Sequence, residues 1–160
     1  MGSSIRLTGS DYRALAELRY RIRHFLAGSD EAARLVGLEP QQYLLLLMVR
    51  GLPPGMTPTV RTLAERLGLK HNSTVELINR MEARGYVERR RITSDRRRVQ
   101  VLLLASGQQL LERVARQRIT EVRAGGVELV AAMTAVLGYR RRHRQESATK
   151  PSDQKRPRIE

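Results

Sequence analysis

Apolar residues recur at helical spacing through residues 11–27 (DYRALAELRYRIRHFLA), with Leu15, Leu18, Ile22 and Phe25/Leu26 in one stripe. Arg13, Glu17, Arg21 and His24 occupy the opposite face, so the pattern predicts an amphipathic helix. A shorter helical stretch runs from Asp30 to Val36 and stops at Gly37. After Pro40 the chain reads QQYLLLLMVRG, and Tyr43 to Val49 has no polar side. A first-turn proline, the Leu/Met content and the Gly51 stop predict a centrally buried helix here, with a fully apolar strand as the competing reading.

Residues 52–58 (LPPGMTP) form a Pro/Gly loop, and Thr59-Val60-Arg61 reads as a short strand. A helix from Thr62 to Leu67 stops at Gly68. Ser73-x-x-Glu76 matches a capping box opening the next helix, whose core side carries Val75, Leu77, Ile78 and Met81 and which Gly85 closes. Two strand-like segments follow, Tyr86 to Ile92 and Val99 to Leu103, with Val99, Val101 and Leu103 on one face and a polar centre at Thr93-Ser94-Asp95. Helical spacing resumes after Gly107 with Leu110, Leu111, Val114, Ile119 and Val122, breaks at Gly125-Gly126, and returns in a last apolar helix, Val127 to Leu137. The remainder is rich in Arg, Ser, Lys, Gln and Pro and is expected to be disordered from about Gln145. No internal repeat is visible. The expected fold is mainly α with one small β-hairpin.

Charge sharpens this outline. The 160 residues suffice for one domain with a real core, yet the net charge is +14 from 30 basic and 16 acidic residues. A charge of that size repels itself unless a polyanion offsets it. Residues 138–160 hold +5 of it and the rest of the chain +9, so the tail alone does not explain the basicity. There are no cysteines, which excludes disulfides and thiolate metal sites. No apolar run approaches the roughly 18 residues of a membrane span, and Met1 to Ser4 lack the apolar core of a signal peptide. A cytoplasmic protein is expected. His24, His71 and His143 are scattered, and no nucleophile–base set, metal cluster or phosphate loop appears. The expectation is therefore no enzyme, no cofactor and no metal.

The same charge concentrates where a polyanion would be gripped. Residues 87–100 (VERRRITSDRRRVQ) carry six arginines directly behind a helix, a Gly turn and a second helix. A helix-turn-helix followed by an arginine-tipped hairpin suits duplex DNA, with the second helix in the major groove and the hairpin on the backbone or minor groove. On the second helix the outward candidates are Ser73, Thr74, Glu76, Asn79 and Arg80, with Lys70 and Asn72 in the turn. Asn pairs bidentately with adenine, Arg with guanine or phosphate, and a helix N-terminus favours phosphate. Glu76 is read either as an acceptor for cytosine or as a cap. In the hairpin the candidates are Arg89, Arg90, Asp95, Arg96, Arg97 and Arg98; because residues 89–91 alternate along a strand, not all of them can face DNA. The competing reading is an ordinary solvated helix face and a solubilising charged turn.

Gly37 to Leu47, Leu63-Ala64-Glu65-Arg66-Leu67-Gly68, Ser73-Thr74-Val75, Arg84-Gly85, and Asp95-Arg96-Arg97 before an apolar strand and Gly107 resemble the MarR family of winged-helix regulators. The resemblance covers roughly residues 10–137. It implies a winged helix-turn-helix over about residues 40–104 and dimerisation helices at about 10–36 and 107–137. Residues 1–9 would be an N-terminal arm and 138–160 a basic tail. It further implies a homodimer on a pseudo-palindromic operator, acting as a repressor relieved by a small aromatic or phenolic effector, in the nucleoid of a bacterium or archaeon. Asp95 would brace the wing and orient Arg97 toward the minor groove. Tyr12, Tyr20, His24 and Tyr43 lie on helices that by resemblance meet at the dimer interface; they line an effector pocket or simply pack. The sequence departs from the family pattern in having Leu104 where a capping Thr is usual, which hands that cap to Ser106, and Glu39 before Pro40. The alternative function is a non-specific architectural nucleic-acid-binding protein that uses the same motif with its basic tail.

Overall fold

The computed structural model describes residues 7–92 and 95–148, with side chains for 7–92 and 98–137. The elements are α1 (Gly9–Leu35), α2 (Pro40–Gly51), α3 (Val60–Leu67), α4 (His71–Ala83), β1 (Val87–Ile92), β2 (Asp95–Leu103) and α5 (Ala105–Ala148). The described residues thus form a mainly helical fold with one two-stranded antiparallel sheet. They group into two compact units, one holding the chain up to His24 and from Ala124, the other Phe25–Arg123.

In the second unit the apolar α2 is central, as its lack of a polar face requires. Leu45 and Leu46 are fully buried among Ala33, Leu38, Leu63, Leu77, Ile78, Met81, Val87, Val101, Leu111 and Val114. Pro40 opens α2, and Gln42 Oε1 accepts from Glu39 N at 3.0 Å, closing one limb of a cap that Glu39 was not expected to support. α3 starts where a strand was expected. Thr59 is its N-cap, its hydroxyl accepting from Thr62 N at 3.2 Å, while Pro58 O accepts from Val101 N at 2.9 Å. The extended stretch before α3 therefore supplies one hydrogen bond to the sheet edge without becoming a strand. Gly68 and Gly85 adopt positive φ (64° and 70°), the conformation that ends α3 and α4 and lets Leu69 N reach Ala64 O and Tyr86 N reach Met81 O, both at 3.0 Å.

Four further boundaries differ from the sequence expectation. α4 begins at His71 with Lys70 as its N-cap, so Ser73 and Glu76 lie inside the helix and form no capping box. α1 is one helix rather than two. Gly28, in its interior, is no break: a Cβ there would stand 2.6 Å from the Arg118 guanidinium, so close approach explains the glycine. α5 runs unbroken through Gly125-Gly126 and on to Ala148. Two glycines cost a helix about 1 kcal/mol each, which a long run of good helix formers absorbs. Residues 138–148, assigned above to the tail, are helical, and the disorder expected from Gln145 does not hold up to Ala148; residues 149–160 and 1–6 lie outside the described residues. Ser106 does not cap α5. Leu104 O receives Gln108 N at 2.9 Å, and the Ser106 hydroxyl instead donates to Gly85 O at 2.5 Å.

In the first unit the segments of α1 and α5 are joined by an ion pair between Arg21 and Glu128. Thr8 caps α1, with Asp11 Oδ2 accepting from Thr8 N at 2.6 Å. Leu15 (58% exposed), Val127 (73%), Val130 (65%) and Leu137 (61%) stand open, with Tyr12, Tyr20 and Met133 beside them in the exposed class. Among the described residues no helix is long and apolar enough to cross a membrane.

The glycines of α5 give opposite expectations. A Cβ at Gly107 would lie 2.2 Å from the Tyr86 carbonyl oxygen, a backbone atom, whereas nothing lies within 4 Å at Gly125. Gly107→Ala should cost about 1–3 kcal/mol or more. Gly125→Ala should gain up to about 1 kcal/mol. Thermal unfolding of the two variants checks the opposite signs.

Candidate nucleic-acid interface

α3 and α4 are the helix-turn-helix, joined at Gly68 and seated on the core by Leu63, Leu77, Ile78 and Met81. Because those side chains point inward, His71, Asn72, Ser73, Glu76, Asn79 and Arg80 form the outward stripe of α4, and all are exposed. The stripe mixes an acceptor, amides, a hydroxyl and a guanidinium along more than two turns, a set able to read base edges in a major groove. Lys70, also exposed, stands at its N-terminal end, where the helix macrodipole favours phosphate. With α4 starting at His71, Glu76 is freed from capping and belongs to the outward face.

One candidate is excluded from this face. Thr74 is 0% exposed, and its hydroxyl donates to Lys70 O at 3.1 Å. The reason is periodicity: Thr74 shares the core stripe with Leu77, Ile78 and Met81, whereas Val75, expected inward, is only half-buried.

β1 and β2 form the wing. The register pairs Val87 with Leu103, Arg89 with Val101 and Arg91 with Val99, and shifts between Arg91 and Ile92. Strand parity sorts the arginines. Arg89 lies two residues from the buried Val87, on the same face of the strand, and is turned toward α4. Its backbone N–H and its Nη1 donate to the two oxygens of Glu82 at 2.8 and 2.5 Å, and its Nη2 approaches Val75 O at 3.4 Å. Arg89 therefore does not stand free for DNA as the sequence suggested. Arg90 is exposed and ion-paired with Glu88. Arg91, which the sequence reading passed over, is exposed, as is Arg98. The side chains of Asp95, Arg96 and Arg97 lie outside the described residues, as do Thr93 and Ser94 altogether.

The four aromatic candidates for an effector pocket divide between the units. Tyr12, Tyr20 and His24 belong to the first, where the Tyr20 and His24 rings meet edge-on with centroids 4.5 Å apart. Tyr43 belongs to the second and is only 5% exposed within the core, so packing is its role. Burial raises its phenol above the ordinary tyrosine value, against the pull of the Arg118 charge. Arg118 is itself buried. Its Nη2 donates to Phe25 O at 3.0 Å, Nη1 pairs with Glu121, and the guanidinium lies over the Phe25 ring 5.2 Å from its centre. Among the described residues no cluster of three or more metal-ligating side chains occurs.

Comparison with known proteins bears on this arrangement. A model of the MarR family matches residues 36–98, the stretch from the end of α1 through the wing arginines. Among solved structures, AbsC of Streptomyces coelicolor, a MarR family transcriptional regulator, superposes with a TM-score of 0.62 at 20% identity over 89% of this chain and 99% of its own. A MepR mutant of S. aureus, solved bound to an oligodeoxyribonucleotide, gives 0.54 at 17% identity over 91% and 100%. CouR of Rhodococcus jostii RHA1, solved with p-coumaroyl-CoA, gives 0.52 at 21% identity over 86% and 92%. A search of curated proteins returns no match. At these identities the superpositions establish the winged-helix fold. The stretch matched by the MarR family model contains α2, the helix-turn-helix and the first half of the wing, so the chain is similar to that family over these elements.

Proposed function

We propose that the protein is a sequence-specific, double-stranded DNA-binding transcriptional regulator that acts as a homodimer. The observation that carries this reading is the exposed polar stripe of α4, from Asn72 to Arg80, with the arginine wing directly behind it. Asn79 and Arg80 read bases, Asn72, Ser73 and Lys70 hold the N-terminal end against the backbone, and Arg90, Arg91, Arg96, Arg97 and Arg98 supply the wing contacts. Asp95 and Arg97 keep the bracing and minor-groove roles that the family resemblance implies.

The homodimer is supported by the exposed apolar residues of α1 and α5 in the first unit, Leu15, Val127, Val130 and Leu137 foremost. Exposed apolar surface of this kind marks an interaction site, and a second copy of the same chain supplies a matching one. Two copies related by a twofold axis would set their α4 helices about 34 Å apart, one turn of B-form DNA, and call for a pseudo-palindromic operator. Repression, relieved by a small aromatic or phenolic ligand, is the regulatory mode we propose. The supporting facts are the edge-on pair Tyr20 and His24, with Tyr12 on the same helix, and the p-coumaroyl-CoA carried by CouR.

Selection of bound fragments from random duplex DNA, with and without aromatic acids, tests the reading. One recovered inverted repeat supports it; equal recovery of all sequences favours the non-specific architectural alternative, which the net charge of +14 keeps in view. Asn79→Ala and Arg80→Ala should each cost about 1–3 kcal/mol on the selected site and relax preference at particular base pairs. Arg98→Ala should weaken all sequences alike and lower the salt slope by about 0.9. Removing residues 140–160 should likewise weaken every sequence about equally; altered base preference in that truncation would contradict a backbone-only role for the segment. Val130→Glu should yield monomers in sedimentation and abolish operator binding, whereas an intact dimer would move the interface elsewhere.

A further inference from the structure

We infer that Glu82 and Arg89 are positioning residues, a clamp that fixes the wing against the recognition helix, and that Arg89 is not itself a DNA contact. The inference rests on the DNA-binding reading above and assigns work within that same interface.

The geometry is specific. Arg89 and Val101 face each other across the hairpin. The Val101 N–H points out of the sheet on the β2 side, to Pro58 O at 2.9 Å. The Arg89 N–H leaves the sheet on the β1 side, to Glu82 Oε1 at 2.8 Å. One rung of the wing is therefore held from both edges, by the residue before the α3 cap on one side and by the last turn of α4 on the other. The second Glu82 oxygen takes Arg89 Nη1 at 2.5 Å, and Nη2 reaches back toward Val75 O at 3.4 Å. A single carboxylate thus binds a backbone donor and the side chain of the same residue. That fixes where the strand lies, which an ion pair between two side-chain ends would not do. Charge-assisted bonds of this kind are short and directional.

The clamp also uses up the charge of Arg89. Its side chain is 26% exposed and Glu82 is 37% exposed, so neither is buried, yet each carries the other's opposite charge within hydrogen-bonding distance. A guanidinium already ion-paired and hydrogen-bonded within its own protein is less free to reach phosphate. What it does for DNA binding is geometric. α4 and the wing tip must enter adjacent grooves together, and a wing free to swing about its base would have to be ordered at each encounter.

Deleting Glu82 separates the two roles by sign. Were Arg89 a phosphate contact restrained by Glu82, Glu82→Ala would remove a negative charge, release a cation, tighten binding and steepen the salt slope. A clamp predicts the reverse: binding roughly tenfold weaker, the scale of a lost charge-assisted hydrogen bond. Hydroxyl-radical protection in the flanking minor groove would fade, while methylation protection of guanines under α4 would persist. Arg89→Ala keeps its backbone N–H on Glu82 and should show only part of that footprint change, and the double variant should be no worse than Glu82→Ala, which already removes both bonds. Glu82→Gln keeps an acceptor for the Arg89 N–H and should lose only about threefold, melting like the unaltered protein. It therefore serves where Glu82→Ala unfolds. Tighter or unchanged binding in Glu82→Ala or Glu82→Gln, or additive losses in the double variant, overturns the clamp while leaving the DNA-binding reading intact. An unaltered protein that protects no duplex site overturns both.

Discussion

The Gly85-Tyr86 peptide is where α4, the wing and the long C-terminal helix are tied together. Tyr86 N closes the end of α4 on Met81 O, and Tyr86 O receives Leu104 N at the foot of β2. The Ser106 hydroxyl binds Gly85 O, and Gly107 packs so tightly on Tyr86 that no side chain fits between them. Three elements thus leave one point in directions that a handful of backbone hydrogen bonds set. The orientation of the outward stripe of α4 relative to the wing follows from that point, and so does the line along which α5 departs. The node is fixed because its backbone donors and acceptors find their partners within the protein, at one point of the chain.

Much of this was legible in the residues. α2 announced itself by having no polar side, and it is the centre of the core. The stops at Gly37, Gly68 and Gly85 were legible because a positive φ is nearly a glycine property, and all three adopt one. The stripe of α4 was legible except at Thr74 and Val75: Thr74 has a hydroxyl yet lies at a core position where it satisfies itself on Lys70 O, and Val75 is only half-buried. The α3 start was missed because Thr59 and Val60 have strand-forming side chains while the cap geometry of Thr59 decides the matter.

Other errors share a cause that no local pattern contains. Residues 11–27 and Asp30 to Val36 read as two helical stretches, and Gly125-Gly126 as the end of a helix, yet α1 and α5 are each continuous. Glycine weakens helices for entropic reasons, but tertiary packing and neighbouring residues outweigh about 1 kcal/mol. Among the wing arginines, composition said only that there were many. Of the three on β1, Arg89 is drawn in by Glu82 on another element, while Arg90 and Arg91 stand exposed. Basicity alone therefore does not say which guanidinium is free and which is bonded within the protein. A guanidinium can serve as an internal tie as readily as an external hand.

Arg118 is the second such tie, and it leaves a mark elsewhere in the chain. The guanidinium lies against the α1 backbone, bonded to Phe25 O, and fills the space where a side chain at position 28 would stand. Its Nε has no hydrogen-bond partner among the described residues, so the group is held by shape as much as by polar contact. Positions 28 and 118, ninety residues apart in the chain, consequently form one unit of sequence. Any substituent at the first displaces the head group of the second, and a shorter residue at the second leaves a void beside the first. Natural or engineered change at this joint has to move both positions in step.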